Sequence, residues 1–133
     1  YINDLVNIDG NVNCIIYADD TSIFFSGVNI DKIINNANHY LYQLNAWASS
    51  NSLQINVSKT KAVVFRSRNK NCSPRSVLLL GTDTIDIVES VKVLGVIFNQ
   101  YMTRNEMVQY TCKKVSKGVG IIYRYRLMIP SSA

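Results

Sequence analysis

The stretch between residues 12 and 26 limits the fold of this chain more than any other. Residues 12–17 and 21–26 are rich in Val, Ile, Tyr and Phe, side chains that favour extended backbone, and only Ala18-Asp19-Asp20 separates them. A connection this short between two strand-forming runs predicts an antiparallel β-hairpin. From Cys14 to Phe25 nearly every position away from the turn is apolar. That pattern belongs to strands covered on one face and partly on the other. The next segment can provide the cover. Ile30, Ile33, Ile34, Ala37, Leu41, Leu44 and Ala48 recur at the 3.6-residue period of one helix face. Asn29 or Asp31 can cap its start, and Ser49-Ser50-Asn51 ends it.

Further along, residues 53–57 and 62–66 predict a second hairpin, with Ser58-Lys59-Thr60-Lys61 as its turn, and residues 67–74 form a polar, basic loop. Three short strands are expected at residues 77–80, 84–88 and 91–98, the first two joined at Gly81-Thr82-Asp83. Thr103-Arg104-Asn105-Glu106 reads as a capping box, with Thr103 at the N-cap and Glu106 at N3. It opens a helix whose apolar stripe is Val108, Cys112, Val115, Val119 and Ile122. Gly118 and Gly120 weaken that helix by about 1 kcal/mol each relative to Ala, and Pro130 marks its limit. The fold class that follows is α+β: an antiparallel sheet with helices packed on one face, then a helical segment.

Hydrophobic residues make up 47% of the chain, enough to bury a core and to exclude a disordered tail. No apolar run approaches the roughly 18 to 20 residues that a membrane span needs, so no membrane partner is expected. The opening Tyr1-Ile2-Asn3-Asp4-Leu5 reads as the interior of a longer polypeptide. Cys14, Cys72 and Cys112 are odd in number and widely spaced, which argues against a disulfide framework or a zinc site and for a reducing, intracellular compartment. Cys14 and Cys112 sit in apolar patterns and read as small core residues. The net charge of +5 is unevenly distributed, with −4 over residues 1–57 and +9 over residues 58–133. A basic half suggests a polyanionic partner, and an acidic half with tandem carboxylates suggests a cation.

Two adjacent Asp residues at a turn are ordinary in isolation, because Asp caps backbone amides. Asp19 and Asp20, however, lie beside apolar strands with no Lys or Arg within ten residues on either side. Poorly solvated neighbouring carboxylates repel unless a cation neutralises them, and a hard divalent cation does so. The chemistry that needs such a pair is phosphoryl transfer by two metals about 4 Å apart, one activating a 3′-hydroxyl and one stabilising leaving pyrophosphate.

The run Cys14-Ile15-Ile16-Tyr17-Ala18-Asp19-Asp20-Thr21-Ser22-Ile23-Phe24 resembles the central motif of reverse transcriptases of the non-LTR (LINE-like) retrotransposon class. Five other stretches are similar in order and spacing: residues 1–5, the segment from Trp47 through Asn51 to Lys61, Phe65, Val93-Leu94-Gly95-Val96, and residues 113–126. The resemblance covers nearly the whole chain. It implies a partial polymerase palm over residues 1–99 and the start of a helical thumb over residues 100–133. It also implies an RNA-directed DNA polymerase, a nucleotidyltransferase using Mg²⁺ with Mn²⁺ as a substitute. The implied partners are an RNA template, a DNA primer, deoxynucleotides and the remainder of a parent polypeptide, in the cytoplasm and nucleus.

Carried over residue by residue, the resemblance makes Asp19 and Asp20 the metal ligands and puts Tyr17 and Ala18 near the primer terminus and incoming nucleotide. It puts Lys59 near the nucleotide phosphates as a proton donor to pyrophosphate, against the plain alternative of a solvated turn lysine. Leu94 and Gly95 would shape the primer grip, against strand packing with a glycine bulge. Trp47 reads as a helix-end anchor of the core. On a helical wheel Lys113, Lys117 and Arg124 fall within about 40° of one another, opposite the apolar stripe. They suit the phosphates of an RNA–DNA hybrid or, alternatively, form a solvated outer face. Arg66, Arg68, Lys70 and Arg75 surround the basic loop, and His39 reads as surface. The family's third metal-binding Asp and its fingers have no counterpart in these residues, so the 133 residues alone are expected to be inactive. Two competing readings are a non-catalytic nucleic-acid-binding remnant of a decayed element and another palm enzyme of the intron, retron, telomerase or nucleotide-cyclase type.

Overall fold

The structure, a computed structural model, describes residues 12–18, 20–70 and 76–126. The first hairpin forms as the sequence predicts. Strand β1 (Asn13–Tyr17) pairs antiparallel with β2 (Asp20–Phe24), from Asn13 opposite Phe24 to Tyr17 opposite Asp20. That register puts Cys14, Ile16 and Ile23 on one face, against the core. Ile15, Tyr17, Asp20 and Phe24 fall on the other, exposed face. The hairpin is therefore covered on one side alone, less than its apolar composition suggests.

Helix α1 (Ile30–Ser50) follows. The Asn29 carboxamide oxygen accepts from the amides of Asp31 (2.9 Å) and Lys32 (3.3 Å), so Asn29 is the N-cap. At the other end Leu53 N–H donates to Ala48 O and Ser52 N–H to Ser49 O, with Ser52 left-handed at φ 56°. This is a Schellman termination in which Ser occupies the position usually given to Gly. The predicted stripe is the buried face: Ile34, Ala37, Leu41, Leu44 and Ala48, joined by Tyr40, which the periodicity did not mark. Phe25 meets the Tyr40 ring edge-on at 5.9 Å, which ties the end of the hairpin to the helix.

The far side of the core is a small mixed sheet with strand order β3-β5-β4. Strands β4 (Leu78–Leu80) and β5 (Asp83–Ile87) form an antiparallel hairpin, turning at Gly81 with φ 65°. Leu78, Leu80 and Ile85 point into the α1 face. The backbone of β4 is held by Asn38 of α1, whose side-chain amide donates to Val77 O and accepts from Leu79 N–H, both at 2.9 Å. A helix side chain thus substitutes for a neighbouring strand and occupies a sheet edge that would otherwise be open.

Three sequence expectations need correction. Residues 53–57 and 62–66 do not form a hairpin. Asn56 caps a 3₁₀ turn at Val57–Lys59, and only Lys61–Ala62 (β3) is extended in a sheet, pairing parallel with β5. Local hydrogen bonds, in which Asn56 Oδ1 accepts from Lys59 N–H and from Ser58 Oγ, compete with a ladder there. Residues 91–98 are two strands, β6 (Ser90–Val93) and β7 (Val96–Asn99), with Leu94 (φ 48°) and Gly95 (φ 85°) as a two-residue turn. The paired positive φ values match the twist of a tight hairpin, so Gly95 serves the turn rather than a bulge.

The capping box is the third. Helix α2 (Asn105–Tyr125) starts after Arg104, which makes no side-chain cap bond. Thr103 and Glu106 are engaged by Asn99 instead. Asn99 is 6% exposed; its Nδ2 donates to Thr103 Oγ1 and Glu106 Oε1, and its Oδ1 accepts from Thr103 N–H (2.8 Å) and Tyr101 N–H (3.2 Å). This one amide organises the sheet-to-helix connection. Beyond it α2 has no buried residue, and Val108, Cys112, Val115, Val119 and Ile122 are all exposed. Cys112 is consequently not a core residue, whereas Cys14 is half-buried and its thiol is pushed up by burial.

Among the described residues no helix is long and apolar enough to cross a membrane. Urea unfolding should separate the two helices. Leu44→Ala is expected to cost about 2–5 kcal/mol, as for a filled core site, and Val115→Ala no more than about 0.5 kcal/mol. Asn99→Ala, which strips partners from the half-buried amides of Tyr101 and Thr103, is expected to cost about 1–3 kcal/mol.

Candidate functional site

The hairpin tip is built by register. Because Tyr17 pairs with Asp20, only two residues close the loop, and Ala18 takes φ 53°. A non-glycine residue in that left-handed region is strained, and such strain is tolerated where the surrounding ladder fixes the turn. Asp20 stands exposed at the first position of β2, next to an exposed Tyr17 ring. Asp19 lies outside the described residues.

No Lys or Arg among the described residues pairs with the Asp20 carboxylate; the ion pair present joins Lys61 and Asp86 at 2.7 Å. Among the same residues no group of three His, Cys, Asp or Glu side chains gathers to hold a metal. An exposed, unpaired carboxylate with a second one adjacent in sequence is the donor chemistry that a hard divalent cation takes. Asp20 fits as one ligand, and the site needs further oxygen donors.

The other predicted residues divide among three places. Lys59 ends the 3₁₀ turn, exposed, and no hydrogen bond or ion pair among the described residues joins its side chain to the hairpin tip. Leu94 and Gly95 form the exposed β6–β7 turn. Lys113, Lys117 and Arg124 are exposed along α2. Trp47 is half-buried against the core, as an anchor should be. His39 is exposed, its Nε2 at 3.3 Å from Gln43 Nε2. Arg66, in the basic stretch, is engaged internally. Its guanidinium donates to Lys70 O (2.7 Å), Gln100 Oε1 (3.3 Å) and Tyr101 Oη (3.4 Å) and lies over the Tyr101 ring. Arg75 lies outside the described residues.

One cluster escaped the sequence reading. Lys92 of β6 donates to Tyr110 Oη of α2 at 2.7 Å, and Lys92 and Lys114 both approach the Tyr110 ring. Tyr110 and Lys114 are four apart on a helix, a readable pair. Lys92 is eighteen residues away from Tyr110 and joins them only through the fold. The hydrogen bond from Lys92 draws the Tyr110 phenol below its usual range, helped by the charges of Lys114 and Lys92 and opposed by lost solvation.

Residues 1–98 match the family model described as Reverse transcriptase (RNA-dependent DNA polymerase). The chain belongs to the reverse transcriptase family. Comparison with curated proteins and with solved structures returned no match. By family, then, the chain is of the RNA-directed DNA polymerase kind. Reverse transcriptases act on a nucleic-acid template and primer and generally use divalent metal ions. The match spans the acidic hairpin, α1, the mixed sheet and nearly all of the β6–β7 hairpin of this reverse transcriptase domain, and ends before α2.

Difference absorbance of tyrosinate, taken between each chain and its Tyr110→Phe counterpart, should show Tyr110 ionising at lower pH in the unaltered chain than in Lys92→Met. The sign follows from Lys92, which stabilises the phenolate; equal titration in the two chains would remove that hydrogen bond from the account.

Proposed function

We propose that this reverse transcriptase is of the non-LTR, LINE-like class, with residues 1–99 the C-terminal part of the palm and residues 100–133 the start of the thumb. The observation that carries the catalytic reading is the hairpin tip: Asp20 exposed and free of any cationic partner among the described residues, on a strained turn beside Tyr17. Asp19 and Asp20 hold divalent cations, Mg²⁺ or Mn²⁺ in its place. Bound there, the cations lower the cost of deprotonating a primer 3′-hydroxyl and of the charge that develops on leaving pyrophosphate.

The chain's own side chains do the positioning. The exposed hairpin face, with Tyr17 at its end, offers a flat, half-apolar surface to the primer terminus and the incoming deoxynucleotide, and Ala18 keeps the turn small enough for close approach. Lys59 faces the nucleotide phosphates and gives a proton to pyrophosphate. The Leu94-Gly95 turn presents exposed backbone to the primer. Lys113, Lys117 and Arg124 meet the phosphates of the RNA–DNA hybrid, a contact that gives affinity without sequence preference.

The 133 residues contain no second acidic strand beside this hairpin among the described elements, so we expect the chain alone not to extend a primer. Radiolabelled deoxynucleotide incorporation on an RNA template with Mg²⁺ tests both halves of the reading. The chain alone should give none. A longer polypeptide carrying the rest of the palm should incorporate, and Asp19→Asn or Asp20→Asn in it should lower the rate by about a thousandfold or more. Extension by the 133 residues, or indifference of the longer polypeptide to both substitutions, would refute the assignment.

A further inference from the structure

Lys92, Tyr110 and Lys114 have no role in the function proposed above, yet two elements bring them together. Lys92 Nζ lies 2.7 Å from Tyr110 Oη and 4.5 Å from the centre of that ring, and Lys114 Nζ lies 5.6 Å from the same centre. No carboxylate among the described residues pairs with either ammonium. Two like charges gathered on one ring repel, and the negative face of the ring offsets only part of that. An anion with several oxygens removes the repulsion and gains from both charges at once.

The donors suit a phosphate. Tyr110 oxygen accepts from Lys92, which leaves the phenolic hydrogen to donate outward. Each ammonium keeps spare hydrogens, and both lysines are exposed. Position adds a second argument. Tyr110, Lys113, Lys114, Lys117 and Arg124 fall within about 100° of the α2 surface, over about 21 Å of helix. Lys92 stands two residues before the Leu94-Gly95 turn, so the cluster joins that hairpin to the start of the basic face. We propose that Lys92, Tyr110 and Lys114 form a clamp for a phosphodiester of bound nucleic acid, at the root of α2. The clamp rests on the nucleic-acid reading of the basic face and extends it across the junction between sheet and helix.

The test is binding of the full 133-residue chain to a fluorescent RNA–DNA hybrid, followed by anisotropy between 50 and 200 mM salt. Lys92→Met and Lys114→Met should each weaken binding about three- to tenfold at the low-salt end, and each should flatten the log–log salt dependence by about 0.7–0.9. Tyr110→Phe, which keeps the ring and removes the hydroxyl, should cost about two- to threefold. Lys92→Arg and Lys114→Arg keep the charge and should stay within about twofold of the unaltered chain; a loss as large as in the Met variants would mean that packing, not charge, is at stake, and overturns the clamp. If Lys92→Met and Lys114→Met bind like the unaltered chain while Lys117→Met is weakened, the clamp is wrong and the nucleic-acid reading stands. If the unaltered chain does not bind the hybrid, both fall.

Discussion

The buried stripe of α1 (Ile34, Ala37, Leu41 and Leu44, with Tyr40) is the surface on which two separate pieces of sheet find cover. Neither hairpin can stand alone in water, because an isolated two-stranded sheet buries too little to offset its ordering entropy. The acidic hairpin presses Cys14, Ile16 and Ile23 toward the stripe from one side, and Leu78, Leu80 and Ile85 close it from the other. Polar contacts at three places fix how they sit: the Asn38 amide on the edge of β4, and the caps at Asn29 and Ser52 that set the length of the helix. The position of the acidic tip is therefore a consequence of the core packing on the opposite face of the same hairpin.

The groups proposed above to act in function lie outside that core. The outward face of the first hairpin carries Ile15, Tyr17, Phe24 and Asp20 into solvent, and α2 carries both its basic and its apolar stripe uncovered. These surfaces have opposite charge, as the split of −4 and +9 along the chain requires. The proposed function uses that division: carboxylates to collect cations at the chemical centre, and ammonium and guanidinium groups along the phosphate backbone. The junction between the two regions is held by a single buried amide, Asn99, and by Lys92 on Tyr110. Both are polar contacts, so the orientation of α2 depends on hydrogen bonds more than on burial.

The local signals that proved legible were those with a strong period or a short connection. The acidic hairpin, the α1 stripe, the Asn29 cap and the Leu78–Ile87 hairpin could all be read from adjacent residues. The failures share a cause. Leu94-Gly95 reads as strand in the sequence because Val93, Val96 and Ile97 hide a turn inside an apolar run; the positive φ at Leu94 is imposed by the pairing of β6 with β7. Thr103 and Glu106 fit a capping box by spacing, but Asn99, upstream and buried, takes their hydrogen bonds. Residues 53–57 have strand-like composition, and the Asn56 side chain turns the backbone instead.

The sequence by itself determined the family, the acidic tip, the helix that covers the inner face of its hairpin and the charge contrast between the two halves. Each of these depends on residue type and spacing within a few turns of chain. The tertiary structure decided which faces stay open and which polar groups meet across long separations. Composition predicted a hairpin covered on one face and partly on the other, and a second helix with Cys112 in a core; the fold leaves Tyr17 and Asp20 exposed and α2 without a buried residue. Burial is a property of what the other elements cover, and no window of sequence contains that. The same holds for Lys92 and Tyr110, which have no local relation and share a hydrogen bond only because Asn99 sets α2 beside the β6–β7 hairpin.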